Sequence, residues 1–304
     1  SAASDVYKRQ NMDREEFIRY LTEEKNASYN TCRAYERDVE HFAVFLNKRD
    51  VGDLYHAVNA DVVSYLMELK NLGRSKSTVN RKLASIRTYY GFLQKTQGLK
   101  ENPAENIRSP KIAKKNIDFL EPSEIETLMG LPDDSEKGMR DRAILELLYA
   151  TGIRAGEIIS METADLNLRM GFVTCAGENI RARIIPVGRM ARNALEIYME
   201  QARPRLIRNN EDENHLFVNF QGKPITRQGL WKILKEYGRR ANLGISLTPQ
   251  TIRNSFAVHM LQNGADIKSL QELMGHEDIS ATQVYLAFTK NRIKDVYDRA
   301  HPRA

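Results

Sequence analysis

Four residues far apart in the chain have the side-chain types needed to attack a phosphodiester with a phenol: Arg154, Arg253, His276 and Tyr285. The last three lie in the run Thr248–Leu286, TPQTIRNSFAVHMLQNGADIKSLQELMGHEDISATQVYL, and Arg154 sits far upstream in ATGIRAGEI. Guanidinium groups offer paired N–H donors that match phosphate oxygens, the imidazole adds a hydrogen bond, and the phenol is the nucleophile. Taken singly, a buried tyrosine is usually core and a helix arginine is usually in a surface ion pair. Order and spacing carry the signal.

The elements that must position these groups are mostly helical. Arg154 follows the Thr151-Gly152 turn at the end of an apolar helix, Gly138–Ala150. Arg253 falls in the first turns of a helix, Thr251–Asn263, opened by Thr248-Pro249. His276 follows Gly275 at the end of Ile267–Met274, and Tyr285 lies in the next helix, Ser280–Phe288. Further helices are expected at Glu121-Pro122 onward, Met190–Arg208 and Arg227–Ala241. Phe172–Cys175 and Ala182–Val187 are short and β-branched across a polar turn, which predicts a hairpin.

The N-terminal part reads as four helices, Met12–Glu24, Ser28–Leu46, Asp61–Leu72 and Ser77–Thr96. Ser28 or Thr31 caps the second, and a Ser/Thr cap starts the fourth. Val79, Leu83, Ile86, Tyr90 and Leu93 form the apolar side of that fourth helix, with Tyr90 expected in the core. Asn80, Arg81, Lys82 and Arg87 lie on its other side, and Arg74, Lys76, Ser77 and Thr78 at its N-terminus. Hydroxyls, free amides and positive charge at a helix start suit a DNA phosphate and a groove edge.

Charge distribution agrees. The net charge is +6, but from Met12 to Gly73 there are 8 basic against 12 acidic residues, a net −4. From Arg74 to Lys115 there are 11 basic against 2 acidic, a net +9. A positive field concentrated in one region is the footprint expected of a nucleic-acid contact, or a solvated face with a basic linker. The run Lys100–Asn116, mixing proline, asparagine and lysine without periodicity, reads as an extended linker. The division is therefore a leader or scar at 1–11, a DNA-binding domain at 12–99, a linker at 100–116 and a second domain at 117–304. No apolar run approaches a membrane span. The two cysteines, Cys32 and Cys175, form neither a disulfide framework nor a metal motif, so a cytoplasmic protein without a metal is expected.

These motifs resemble the tyrosine recombinases, or phage integrase family, most closely the Xer type. The likeness runs from TCRAYERDVEHFAVFL and STVNRKLASIRTYYGFL through the catalytic blocks to the terminal HPRA. The resemblance implies a mainly α fold: an N-terminal four-helix SAM-like DNA-binding domain and a mostly helical catalytic domain with a small β-hairpin. It implies that Arg154 and Arg253 clamp the scissile phosphate, that His276 bonds a non-bridging oxygen, and that Tyr285 forms a 3′-phosphotyrosyl bond. No cofactor is required, because the bond energy is kept in the covalent intermediate. The implied partners are double-stranded DNA and a homo- or hetero-tetramer with a second recombinase, with Asn291–Arg299 and the tail docking on a neighbouring protomer. Chromosome partition at cell division, or integration and excision of an element, are the implied roles. A type IB topoisomerase-like enzyme shares the constellation and is the weaker reading.

Two positions depart from the family. The hairpin turn reads GENIRARIIPV, placing Glu178 where the family carries a lysine that protonates the leaving oxygen. A carboxylate repels phosphate, and Arg181 or Arg183, which could move toward DNA there, is a poor proton donor. Gln250 replaces a histidine three residues before Arg253, and Asn254 follows that arginine where the family often has histidine. An alternative expectation follows: a DNA-binding member whose catalysis is impaired.

Overall fold

The computed structural model describes residues 14–51, 53–111, 117–177, 180–210 and 212–288. The leader, Glu178, Asn291–Arg299 and the HPRA tail lie outside them, as do the side chains of Gly177, Ile180 and Arg181. The chain forms two compact units, Ser1–Lys115 and Asn116–Ala304.

The first unit is built from α1 (14–23), α2 (Tyr29–Asn47), α3 (Asn59–Asn71) and α4 (Lys76–Gln97). Ser28 caps α2 by accepting from the Thr31 N–H. The cap of α4 is a serine, as expected, and it is Ser75, whose Oγ accepts from Thr78 N and brings Lys76 and Ser77 into the first turn. Gly98, with φ 68°, ends the helix in the left-handed conformation a side chain resists. Apolar stripes from all four helices meet around Phe17, Phe42, Leu46, Leu83, Ile86 and Tyr90. Each such side chain contributes about 1.5–3 kcal/mol by leaving water. Tyr89 is buried as well as Tyr90, whose hydroxyl donates to Leu54 O at 2.7 Å.

The stretch read as an extended linker is fastened to α4 over its described part. Arg87 donates to Ala104 O and Ile107 O at 3.1 and 2.7 Å, Asn102 Nδ2 to Arg87 O, and Asn80 Nδ2 to Pro110 O. Carbonyls freed by an aperiodic, proline-containing chain need donors, and α4 supplies them.

The second unit surrounds α6 (Glu136–Thr151), which is buried on most sides and follows α5 (Pro122–Met129). After α7 (Ala155–Ser160) come β1 (Leu166–Asn167), β2 (Phe172–Gly177) and β3 (Ile180–Pro186), a three-stranded antiparallel sheet in that order. The hairpin was expected; its short third strand, β1, was not, since two residues carry no period. Val173 and Cys175 face inward opposite Ile185 and Arg183. Arg183 therefore stands on the buried side of the sheet, while Ile184 points outward.

The helix expected at Met190–Arg208 is split into α8 (Arg189–Ile197), a π turn at Tyr198–Ala202 and α9 (Arg203–Leu206). Pro204 has no N–H to return to the preceding turn, and the Arg203 N–H reaches back five residues to Tyr198 O. Next follow α10 (Arg227–Arg240), α11 (Pro249–Gln262), α12 (Ile267–Met274) and α13 (Ser280–Gln283). The expected helix to Phe288 becomes a 3₁₀ segment at Val284–Phe288. No helix among the described residues is long and apolar enough to cross a membrane.

Candidate active site

The C-terminus of α6 and the N-termini of α7 and α11 converge with the α12 turn. Gly152 closes α6 at φ 58°, and an added Cβ would land on the Phe256 ring. Thr248 caps α11 by accepting from Thr251 N at 3.0 Å, and Pro249 starts it. Gly275 closes α12 at φ 61°, where a Cβ would lie 2.8 Å from Arg183 Nη1. These two left-handed turns present main-chain carbonyls to the arginines.

Arg253 is 3% exposed. Its Nη1 donates to Gly152 O, and its Nη2 donates to Met274 O at 2.6 Å and to His276 Nε2 at 3.0 Å. Arg154 Nη2 donates to Gly275 O at 2.6 Å. The two guanidiniums are thus tethered to successive carbonyls of one turn. Burial, then the Arg154 charge, pulls the Arg253 pKa down to about 10, so it stays charged at neutral pH.

A guanidinium only donates, so His276 Nε2 must carry a lone pair and the ring proton sits on Nδ1, which donates to Thr282 Oγ1 at 2.8 Å. Burial and then the charges of Arg253, Arg154 and Arg183 push the His276 pKa down to about 4. The imidazole is neutral at working pH and serves here to hold Arg253.

Tyr285 is 4% exposed, and its hydroxyl donates to Asn254 Oδ1 at 2.9 Å. Burial raises its pKa, against a smaller pull from Arg253. The phenol is therefore neutral, and an attack on phosphorus must shed its proton.

Sequence reading missed the residues that hold this set. Glu157 Oε2 accepts from the Arg154 backbone N–H at 2.6 Å, and its carboxylate binds Arg183 at 2.6 and 3.0 Å. Arg183 Nε also donates to Leu273 O at 2.8 Å, tying β3 to the α12 turn. Two signals could have shown this. Glu157 stands three residues after Arg154, the spacing of a capping carboxylate. Arg183 alternates with inward Ile185 on β3.

The remaining expected positions divide sharply. Gln250 Nε2 donates to Asn254 Oδ1 at 2.8 Å. Arg183, expected toward DNA, is instead paired inside the fold. Lys82, also expected toward DNA, is 6% exposed, 3.1 Å from Asp38, and Arg81 pairs with the same carboxylate. Ser85 Oγ donates to Asp38 as well, at 3.0 Å. A carboxylate buried that deeply requires such partners. Arg87 and Asn80 hold carbonyls, as above. Arg74, Lys76 and Ser77 remain exposed and Thr78 half-buried, at the start of α4. No group of three His, Cys, Asp or Glu that could hold a metal occurs among the described residues.

Comparison with known proteins matches residues 118–292 to the phage integrase family and 15–97 to the phage integrase N-terminal SAM-like domain. A tyrosine recombinase XerD from Oceanobacillus iheyensis is 41% identical over 291 residues, covering 95% of this chain and 98% of that protein. One from Listeria monocytogenes is 40% identical over 292 residues, again 95% and 98%. Among solved structures, the Tn1549 transposon integrase with transposon right end DNA matches at TM-score 0.69 and 18% identity, covering 95% of this chain and 99% of that one. The XerH recombinase on a palindromic difH substrate matches at 0.69 and 16%, covering 93% and 94%. At such identities these structures speak for the fold, mainly helical with a SAM-like N-terminal part.

Proposed function

Because the chain belongs to the phage integrase family of tyrosine recombinases, we propose that it breaks and rejoins DNA with Tyr285 as nucleophile and Arg154 and Arg253 as the phosphate clamp. The enzyme is a site-specific recombinase, as relatives named tyrosine recombinase at about 40% identity over 95% of the chain support. They lend no support to the catalytically impaired alternative.

One observation carries the assignment of roles: two guanidiniums tethered to the same turn, with the nucleophile's helix following it. Two positive charges with donors fixed by main-chain carbonyls stabilise the charge that develops on a five-coordinate phosphorus without reorganising. Tyr285 Oη forms the bond to phosphorus as its proton passes to solvent. The P–O5′ bond breaks, the departing 5′-oxygen takes a proton from solvent to leave as a hydroxyl, and the phosphotyrosyl bond keeps the energy for rejoining. His276 orients Arg253; donation to a non-bridging oxygen, which the resemblance implies, requires the Nε2–H form.

Double-stranded DNA is the partner, as for the neighbours solved on DNA. Four protomers on two duplexes, in the cytoplasm, complete the reading, with chromosome-dimer resolution or element movement as the role. The test is a DNA site nicked beside the cleavage point, which traps the adduct. Wild type should form a covalent species absent from Tyr285→Phe. If both behave alike, Tyr285 is not the nucleophile.

A further inference from the structure

Asn254 and Gln250 lie on α11 on either side of Arg253; they touch each other, and Asn254 also meets the nucleophile. Asn254 Oδ1 accepts from Tyr285 Oη at 2.9 Å and from Gln250 Nε2 at 2.8 Å. Asn254 Nδ2 donates to Asp118 O at 2.9 Å. Both faces of the amide are thereby fixed. A rotation by half a turn would set Oδ1 against the Asp118 carbonyl and Nδ2 against the Gln250 amine, replacing two attractive contacts by two repulsive ones. The phenol therefore always meets an acceptor.

From this we infer that Asn254 is the positioning residue for the nucleophile, with Gln250 and Asp118 O holding its amide in register; the inference rests on Tyr285 being the attacking group. Asn254 takes one hydrogen bond from the hydroxyl, which fixes the C–O–H direction and leaves the oxygen lone pairs free for phosphorus. An amide oxygen is far too weak a base to keep the proton, so Asn254 orients Tyr285 without deprotonating it. Arg253 is the charged group that bears on the phenol. Neither Asn254 nor Gln250 titrates, so the amide pair imposes no pH break of its own.

The experiment compares Asn254→Leu, Asn254→Asp and Gln250→Met with the parent. Three quantities are measured: DNA affinity by titration, single-turnover adduct formation on a nicked site, and the ¹⁹F line of Tyr285 in 3-fluorotyrosine-labelled protein, assigned through Tyr285→Phe. Asn254→Leu should bind DNA within about twofold, form adduct at least tenfold more slowly, and show a displaced or broadened Tyr285 line. Asn254→Asp keeps an acceptor oxygen toward the phenol but sets its second oxygen against the Asp118 carbonyl and adds a charge, so it should keep the Tyr285 line close to the parent's while recovering only part of the rate. Gln250→Met should fall between parent and Asn254→Leu. An Asn254→Leu protein with the parental rate and line overturns the inference. So does an Asn254→Asp protein whose Tyr285 line is displaced as far as that of Asn254→Leu. If the parent forms no adduct at all, the nucleophile assignment fails, and the ¹⁹F comparison still decides whether Asn254 holds the phenol.

Discussion

Replacing Glu157 by glutamine removes a carboxylate that binds both Arg154 and Arg183. Glu157 accepts twice from the Arg183 guanidinium, at 2.6 and 3.0 Å, and their side chains are 5% and 10% exposed. Glutamine has the same size but keeps one acceptor and turns an amine toward a group that can only donate. Removing one partner of a buried pair costs about 3–5 kcal/mol because the other charge is stranded. Arg183 retains Leu273 O and one oxygen, which places the expectation near 3 kcal/mol. For a unit of this size that is a fall in Tm of roughly 6–12 °C.

Replacing Arg183 by methionine in the same protein removes the stranded charge. The pair Glu157→Gln/Arg183→Met should then be more stable than the sum of its singles by at least about 1.5 kcal/mol. Urea unfolding of the two singles and the double measures this, and the sole tryptophan, Trp231, reports on the second unit. Additivity to within about 0.5 kcal/mol would refute the pairing as a stabilising unit. A pH series gives an independent check. Burial raises the Glu157 pKa, but the Arg183 hydrogen bonds, the Arg154 N–H and both charges outweigh it and leave it lowered. Its contribution is therefore present above the ordinary value of 4.5 and lost as pH falls through the folded value, a loss that Glu157→Gln should lack.

Three further outcomes are expected. Gly152→Ala forces a side chain into a left-handed turn and against Phe256, costing roughly 2–5 kcal/mol in unfolding experiments; a loss under about 1 kcal/mol would contradict the packing. Adduct formation should show no break attributable to His276 above about pH 5, since its pKa is about 4, whereas Asn254→His should add an acid-side limb near the ordinary imidazole value; rate–pH profiles of the two proteins decide. Lys76→Ala should lower the slope of log affinity against log salt by about 1. Lys82→Met should leave that slope unchanged and alter stability, because Lys82 already serves Asp38.

What could be read beforehand follows from range. Arg154 after a glycine turn and Arg253 behind a Thr-Pro cap are local patterns, and helix periodicity places them. On α4, polar residues look solvent-facing in sequence until a partner appears. Lys82 and Arg81 find theirs in Asp38, more than 40 positions earlier. Asn254 looked like a missing histidine; only the folded chain shows its amide between Gln250, Asp118 and Tyr285. The π turn before Pro204 was missed because the apolar period runs through it undisturbed.

Three arginines of the site draw their fixed bonds from Gly152, Leu273, Met274 and Gly275 carbonyls. Main-chain oxygens are the same whatever side chain a codon specifies. Drift at those positions thus leaves the charge pattern intact so long as the turns keep their shape, and sensitivity gathers at the two glycines. A saturation library selected for recombination should accordingly tolerate apolar exchange at Leu273 while rejecting nearly every substitution at Gly152 and Gly275. The site's durability to mutation lies in its turns more than in its neighbours.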